Sequence, residues 1–462
     1  MMQAEQRFSS SNLNPDRINP LTKSPPLQRL QWVIDPVSYM ESAAQQQSDL
    51  FSAEILGFGA NLIFVYNPQA VQYILTNDRK ELTAPGEINE ILAPLTGSTS
   101  LFLLSGNAHR RQRQLLMPSF HGDRMRNYAQ LITDLTEQTM NQLSVGQSFI
   151  ARSTMQAVSL EVILQAVFGV REGDRYLQLR DLTRVISDGF SAPLSSSVLF
   201  FKALQKDWGN WTPWGRFLRL RQQLDDLLYA EIADRRAHFD LNRTDILSLM
   251  IAARDEGGQP MTDQELRDEL MTLMLAGQDT TVSALSWALY WIHSLPNVRE
   301  KLLLELDSAD SSDPMNLTKL PYLTAVCQET LRIYPIAMLT FPRRVEQPIE
   351  LLGYRLKPGT LLVGCIYLMH QRPDIYPNPK QFKPERFLEN KFSGFEFLPF
   401  GGGARRCIGE ALAIVEMKLV LAALLSRYEL ALAETKPVLP KRRGVTLAPA
   451  GGVRMRMIGK RI

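Results

Sequence analysis

A chain of 462 residues with 45% hydrophobic and 21% charged residues has ordinary globular composition and enough apolar material for a sizeable core. A net charge of +3 gives no reason to expect nucleic acid, and three cysteines (Cys327, Cys365, Cys407) are too few for a disulfide framework and lack zinc-site spacing. The longest uninterrupted apolar run, Leu361 to Met369, is far too short to cross a bilayer, so a soluble or at most peripheral chain in a reducing, cytoplasmic setting is expected.

Residues 1–30 are polar and Pro-punctuated and read as an irregular arm; residues 31–462 show no long linker or repeat and read as one domain. Residues 56–73 suit a short hairpin followed by a helix start. Residues 83–104 are turn-rich with scattered apolar side chains, which suits either a loop over a pocket or a plain surface loop. In Gly106–Leu116, His109 and Arg113 stand four apart and so share a helical face, where a donor pair can hold a carboxylate. The competing reading is a solvated basic helix. Residues 125–170 and 176–240 have helical apolar spacing, and the second stretch carries Phe200, Phe201, Trp208, Trp211 and Trp214.

Asp263 to Leu295 is the strongest helical pattern, with Thr262 or Asp263 as its cap and Glu265 just inside. Its centre reads Leu275-Ala276-Gly277-Gln278-Asp279-Thr280-Thr281. Small residues, an acid and two hydroxyls are locally unfavourable inside a long apolar helix, and such violations mark functional sites. A hydroxyl bonding back to its own helix beside a glycine can also widen or kink it. A second helix, Tyr322 to Tyr334, carries Glu329 and Arg332 at a spacing that pairs on any helix, and Phe382-Lys383-Pro384-Glu385-Arg386-Phe387 adds another arginine. Segments 341–344, 349–352 and 361–366 suit a small mixed sheet.

The stretch Phe400-Gly401-Gly402-Gly403-Ala404-Arg405-Arg406-Cys407-Ile408-Gly409 places one cysteine after a glycine-rich run and before an apolar helical pattern, Glu410 to Leu425. The glycines let backbone pass close to something flat and bulky. A cysteine at a helix start is favoured as thiolate, and a thiolate binds soft metals or iron. The bland alternative is a buried structural cysteine in a Gly-rich loop.

The pattern F-x-x-G-x-R-x-C-x-G closely resembles the heme-thiolate loop of the cytochrome P-450 superfamily. Three further signatures occur in the superfamily's order: Ala276-Gly277-x-Asp279-Thr280, Glu329-x-x-Arg332, and Pro384-Glu385-Arg386-Phe387. The resemblance runs from about residue 50 to the C-terminus. It implies a mainly α, triangular domain with small mixed sheets, binding heme b through Cys407, with Phe400 and Gly401 in the cysteine loop. It implies carboxylate contacts from His109, Arg113, Arg405 and Arg344, with Arg343 the adjacent alternative to Arg344. It makes Glu329, Arg332 and Arg386 a buried structural network, and Asp279 and Thr280 the managers of the protons that oxygen activation consumes. The aromatic stretch 190–217 corresponds to a mobile substrate lid, and Pro449 to Gly452 to a turn at the substrate.

The activity so implied is monooxygenation of a hydrophobic molecule (fatty acid, alkane or terpenoid) with O2 and reducing equivalents. Ile88, Leu92, Leu273, Ala276, Ile336, Ala337, Met338 and Leu339 are the candidate lining residues, almost wholly apolar. No flavin or ferredoxin domain is fused, so a ferredoxin or flavodoxin with its reductase is the expected partner of a monomeric enzyme. Arg110, Arg111, Arg406 and Lys418 are expected to form its docking charge. A heme-thiolate sensor, or a peroxide-using or isomerising relative, is the rival; the intact Asp279-Thr280 pair argues against both.

Overall fold

The computed structural model describes residues 18, 21, 24–55, 62–120, 124–169, 172–189, 198–199, 204–240 and 242–461. The chain divides into two compact units. The first comprises Met1–Ile88, Ala337–Pro379 and Phe392–Arg406; the second comprises Asn89–Ile336, Lys380–Lys391 and Cys407–Ile462.

The first unit is built on a five-stranded mixed sheet in the order β1-β2-β8-β5-β3, formed by β1 (Leu50–Ala53), β2 (Leu62–Val65), β3 (Leu82–Thr83), β5 (Arg343–Val345) and β8 (Leu361–Gly364). β2 is apolar and buried at all four positions, as befits a central strand covered on both faces. It pairs antiparallel with β1 and parallel with β8. The expected hairpin is therefore present, though it begins at Leu50 and its residues 56–61 lie outside the described residues.

Directly after β2, Asn67 caps the helix Pro68–Thr76: its side chain accepts from the amides of Gln69 and Ala70, and Pro68 fills the first position. That helix buries Val71, Ile74 and Leu75 in a cluster with Leu82, Val345, Leu362 and Leu398. A separate hairpin joins β6 (Ile349–Leu351) and β7 (Tyr354–Leu356).

The expected arm boundary at residue 30 falls inside a helix, Pro25–Ile34, because Pro25 and Pro26 start helices well and Trp32 is buried in edge-on contact with Tyr39 and Phe64. Most of residues 1–23 lies outside the described residues.

The second unit is helical, and its longest element is the 32-residue helix Asp263–Ser294. The expected cap forms as a reciprocal box: Glu265 N donates to Thr262 Oγ, and Thr262 N donates to Glu265 Oε2 at 2.7 Å. This helix packs on the helix Ala151–Phe168, and a Cβ on Gly277 would meet Ile163 Cδ1 at 2.9 Å. Gly277 is thus required by close helix approach, and the α-helix runs continuously through this point.

The helix after the cysteine, Glu410–Arg427, packs on the long helix and on Arg124–Met140. A three-stranded sheet in the order β4-β12-β9 joins β4 (Ser148–Ile150), β9 (Tyr428–Leu432) and β12 (Arg454–Lys460), and a hairpin joins β10 (Pro440–Arg443) to β11 (Thr446–Pro449).

In the aromatic stretch, Trp214 is buried against Phe217, whereas Trp208 and Trp211 are exposed; Phe200 and Phe201 lie outside the described residues. Residues 96–104 are not a plain surface loop. Asp268 accepts from the Thr99 amide (2.9 Å) and hydroxyl (2.7 Å), and Glu269 accepts from the Leu101 amide (2.7 Å) and from Gln112 Nε2 (3.1 Å). Two successive carboxylates of the long helix thereby hold this loop.

Glu329, in the helix Pro321–Ile333, is completely buried and takes Arg332 on both oxygens, at 2.6 and 2.8 Å. Its Oε1 also accepts from Arg386 Nε (3.1 Å) and from the Lys383 amide (2.8 Å). Both arginines donate again to the Gln381 carbonyl. One carboxylate therefore hydrogen-bonds two guanidiniums at once and fixes the segment 381–386 to the helix. Breaking a buried pair from one side costs roughly 3–5 kcal/mol. Glu329→Ala is expected to lose about that much, read as a lower denaturant midpoint and little recoverable folded protein. A normal midpoint would show that the network carries no stability.

Burial beside Asp268 and Glu265 pushes the Glu269 carboxyl up from 4.5 to about 8. The folded state then holds a proton that the unfolded chain releases, so this contribution to stability is complete below about pH 4.5 and is lost as pH rises through about 8. Glu269→Gln, which keeps an acceptor for the Leu101 amide, should flatten the fall in stability between pH 5 and 8 in denaturant titrations. An unchanged slope would contradict the burial argument.

Candidate functional site

In the first unit, the chain turns at Leu398 and runs through three glycines. Gly401 and Gly403 both take φ of +65°. At Gly403 a side chain is excluded twice over: a Cβ would collide with the Leu75 carbonyl, and would lie 2.6 Å from Asp78 Oδ2 and 2.9 Å from Arg343 Nη2. At Gly401 a Cβ would meet nothing within 4 Å, so its backbone has an open side. A single 3-10 turn, Gly403–Arg405, follows. Arg405 is buried there and donates to the Ala84 carbonyl at 2.7 Å.

The alternation along β5 separates the two candidate arginines. Arg344 faces outward, where Glu87 (2.8 Å) and Glu346 (2.9 Å) hold it and raise its pKa. Arg343 is completely buried. Its Nη1 donates to the Phe341 carbonyl (2.8 Å), its Nη2 to the Gly402 carbonyl (3.0 Å) and to Asp78 (3.3 Å), and its Nε has no hydrogen-bond partner. Desolvation pushes its pKa down, against the opposing pull of Asp78. The expectation centred on Arg344, but the buried cation that reaches the glycine loop is Arg343. Strand alternation decides which of two adjacent residues turns inward.

In the second unit, Cys407 precedes the helix Glu410–Arg427, for which Gly409 is the N-cap, and it is exposed. Cys327 and Cys365 are fully buried, and burial pushes both thiols up to about 12. Such thiols stay protonated and are poor metal ligands.

At the centre of the long helix, Thr280 Oγ donates to the Ala276 carbonyl (2.7 Å) and Thr281 Oγ to the Gly277 carbonyl (3.1 Å). Thr281 is buried and Thr280 is partly accessible. Asp279, beside Thr280 in the chain, is engaged by partners the sequence did not flag. Its Oδ1 accepts from Arg152 on the helix Ala151–Phe168 and from Arg443 of β10, the latter at 3.3 Å. Arg152 also donates to Ser283 Oγ at 3.1 Å. Nothing in residue spacing could connect positions 152, 279 and 443.

His109 and Arg113 lie on the helix Gly106–Leu116, with His109 buried and Arg113 partly so. The expected basic docking patch does not form as proposed. Arg111 is spent on Asp255 (2.6 Å) and Glu265 (2.7 Å), and Lys418 is buried and donates to the Thr318 carbonyl at 2.7 Å. Arg110 and Arg406 are exposed.

Of the candidate lining residues, Ile88, Ala337, Met338 and Leu339 belong to the first unit and Leu92, Leu273, Ala276 and Ile336 to the second. Ala337 is exposed, while Leu273, Ile336 and Met338 are buried. Among the described residues, no helix is long and apolar enough to cross a membrane, and no group of three or more His, Cys, Asp and Glu gathers as a metal cluster.

Comparison with known proteins gives a concordant result. A Mycobacterium tuberculosis protein provisionally named cytochrome P450 135B1 is 35% identical over 421 residues, covering 91% of this chain and 86% of the relative. A second from that organism, provisionally named cytochrome P450 135A1, is 31% identical over 449 residues, covering 95% and 96%. Among solved structures, a retinoic-acid-bound cyanobacterial CYP120A1 matches with a TM-score of 0.80 at 24% identity, covering 94% of this chain and 96% of that one, which is a likeness of fold. The Cytochrome P450 family model matches residues 25–453. The chain belongs to the cytochrome P450 family, and with membership come heme b, its iron, and the oxidoreductase chemistry of a monooxygenase that uses O2 and reducing equivalents.

Proposed function

We propose that Cys407 is the residue whose sulfur would hold the heme iron and that the chain oxygenates a hydrophobic small molecule. The observation that carries this reading is that Cys407 is exposed at the junction of a glycine loop and a helix, whereas the other two thiols are sealed in the core. The residues fit an iron porphyrin. A sulfur suits the iron, and the open side of Gly401, next to Phe400, suits a flat ring. In the first unit, buried Arg343 with its unpartnered Nε and buried Arg405 suit a carboxylate; in the second, His109 and Arg113, four apart on one helix, suit another. When bound, heme supplies the oxygen-activating redox chemistry, to which a thiolate ligand lends electron density.

The chain's own residues then manage protons. Thr280 Oγ spends its proton on the Ala276 carbonyl and so presents lone pairs; it passes a proton on only by accepting one and rotating. Asp279 gives Oδ1 to two arginines, which leaves Oδ2 to exchange protons with water at a side chain 24% exposed. Thr281, buried one residue further round the helix, is turned by about 100° from its neighbour and is assigned no such role.

The reading extends to the substrate, partner and setting. Every candidate lining residue is apolar, which supports a fatty acid, alkane or terpenoid. A separate ferredoxin or flavodoxin with its reductase would supply electrons to a monomeric enzyme. Three cysteines without a disulfide are in keeping with a reducing cytoplasm. The catalytic domain would begin with the helix Pro25–Ile34, which spans the expected arm boundary at residue 30.

A spectral titration with fatty acids and terpenes would first identify a ligand. Thr280→Ala should then bind it with wild-type affinity while product formed per reductant consumed falls severalfold and hydrogen peroxide rises. Thr281→Ala should stay coupled. Wild-type coupling in both variants would remove the oxygen-activation role from this helix and favour a peroxide-using enzyme or a sensor.

A further inference from the structure

Asp78 lies two residues beyond the helix Pro68–Thr76, in a turn whose sequence, Asn77-Asp78-Arg79-Lys80, looks like solvated surface. Its side chain is instead only 8% exposed. One oxygen, Oδ2, accepts from the Ala404 amide at 2.8 Å and from Arg343 Nη2 at 3.3 Å. Arg343 Nη2 donates in turn to the Gly402 carbonyl at 3.0 Å. The carboxylate and the guanidinium therefore grip the glycine loop from both polarities, one on an N–H and one on a C=O two residues apart. Gly403, between those two contacts, is the position where a Cβ would strike both groups.

We propose that Asp78 is a positioning residue for heme binding, setting both the path of the loop that ends in Cys407 and the charge that Arg343 presents. The proposal rests on Cys407 being the iron ligand and on Arg343 facing a heme carboxylate. A loop that must deliver a sulfur to a fixed point cannot rely on glycines, which leave backbone conformations open. The hydrogen bond from Ala404 to a buried carboxylate is charge-assisted and fixes the 3-10 turn three residues before the cysteine. The same carboxylate keeps Arg343 from standing as an isolated buried charge. It is also a negative charge whose removal would leave the positive charge of Arg343 less balanced, which favours the reduced state of a redox centre that the cation faces.

The two roles separate by substitution. Asp78→Asn keeps an acceptor for the Ala404 amide and removes the charge; Asp78→Ala removes both. In heme-loaded protein, Asp78→Asn should keep the red-shifted ferrous-carbonyl band but raise the heme reduction potential. Asp78→Ala should speed heme loss to an acceptor globin by about tenfold or more, since it removes a hydrogen bond to a charged group. In an Arg343→Met background, Asp78→Asn should no longer move the potential. A change in melting temperature alone, with potential and heme-loss rate at wild type in both variants, would overturn the proposal. So would an equal potential shift with and without Arg343. Cys407→Ser provides the separate control. If it keeps the red-shifted band, the ligand assignment itself fails; if it loses the band while the Asp78 variants behave as wild type, only the role given to Asp78 fails.

Discussion

A guanidinium taken out of water needs acceptors to offset its lost hydration, best of all a carboxylate, and this constraint shapes both units. Arg332 and Arg386 are held by Glu329, Arg152 by Asp279, and Arg343 by Asp78. Apart from Arg332, three residues from Glu329 on the same helix, these pairings join segments far apart in the chain, over separations of 57 residues for Glu329 with Arg386, 127 for Arg152 with Asp279 and 265 for Asp78 with Arg343. The hydrophobic core supplies most of the burial, but apolar attraction is non-directional. Paired charges tolerate few geometries, so they fix where loops such as 381–386 and 402–404 lie. The functional residues are set on elements held in this way.

The long helix shows how packing and chemistry share one stretch. Gly277 lets the helix Ala151–Phe168 approach closely, and that same neighbour supplies Arg152 to Asp279. Thr280, Thr281 and Ser283 all bond back to carbonyls four residues earlier, so the helix absorbs its hydroxyls without breaking. Local features that look like faults in a helix are therefore satisfied within it, and Thr280 retains acceptor capacity for another partner.

Much of this was legible in the sequence. The capping box at Thr262, the long apolar helix and the helix after Cys407 all follow from local patterning, which depends on neighbours in the chain; of the three segments expected in one mixed sheet, Ile349–Leu351 pairs instead in a separate hairpin, because strand partners are set by distant segments. Glu329 and Arg332 are readable as a pair from spacing, but their burial only through the family resemblance, because burial depends on what covers a helix face. The choice between Arg343 and Arg344 turned on strand phase, which two adjacent arginines cannot reveal. Lys418 reads as surface charge, but its helix is buried along most of its length, where the ammonium finds the Thr318 carbonyl. Asp78 gave no signal at all: an Asn-Asp-Arg-Lys turn has the composition of a solvated loop.

The central claim is that Cys407, and neither buried cysteine, delivers sulfur to the heme iron. X-ray absorption at the iron edge of the heme-loaded protein tests it most directly. The account predicts one sulfur scatterer at bonding distance, lost in Cys407→Ser and retained in Cys327→Ser and Cys365→Ser. A sulfur shell that survives in Cys407→Ser, or that is missing from the wild-type protein, would contradict it.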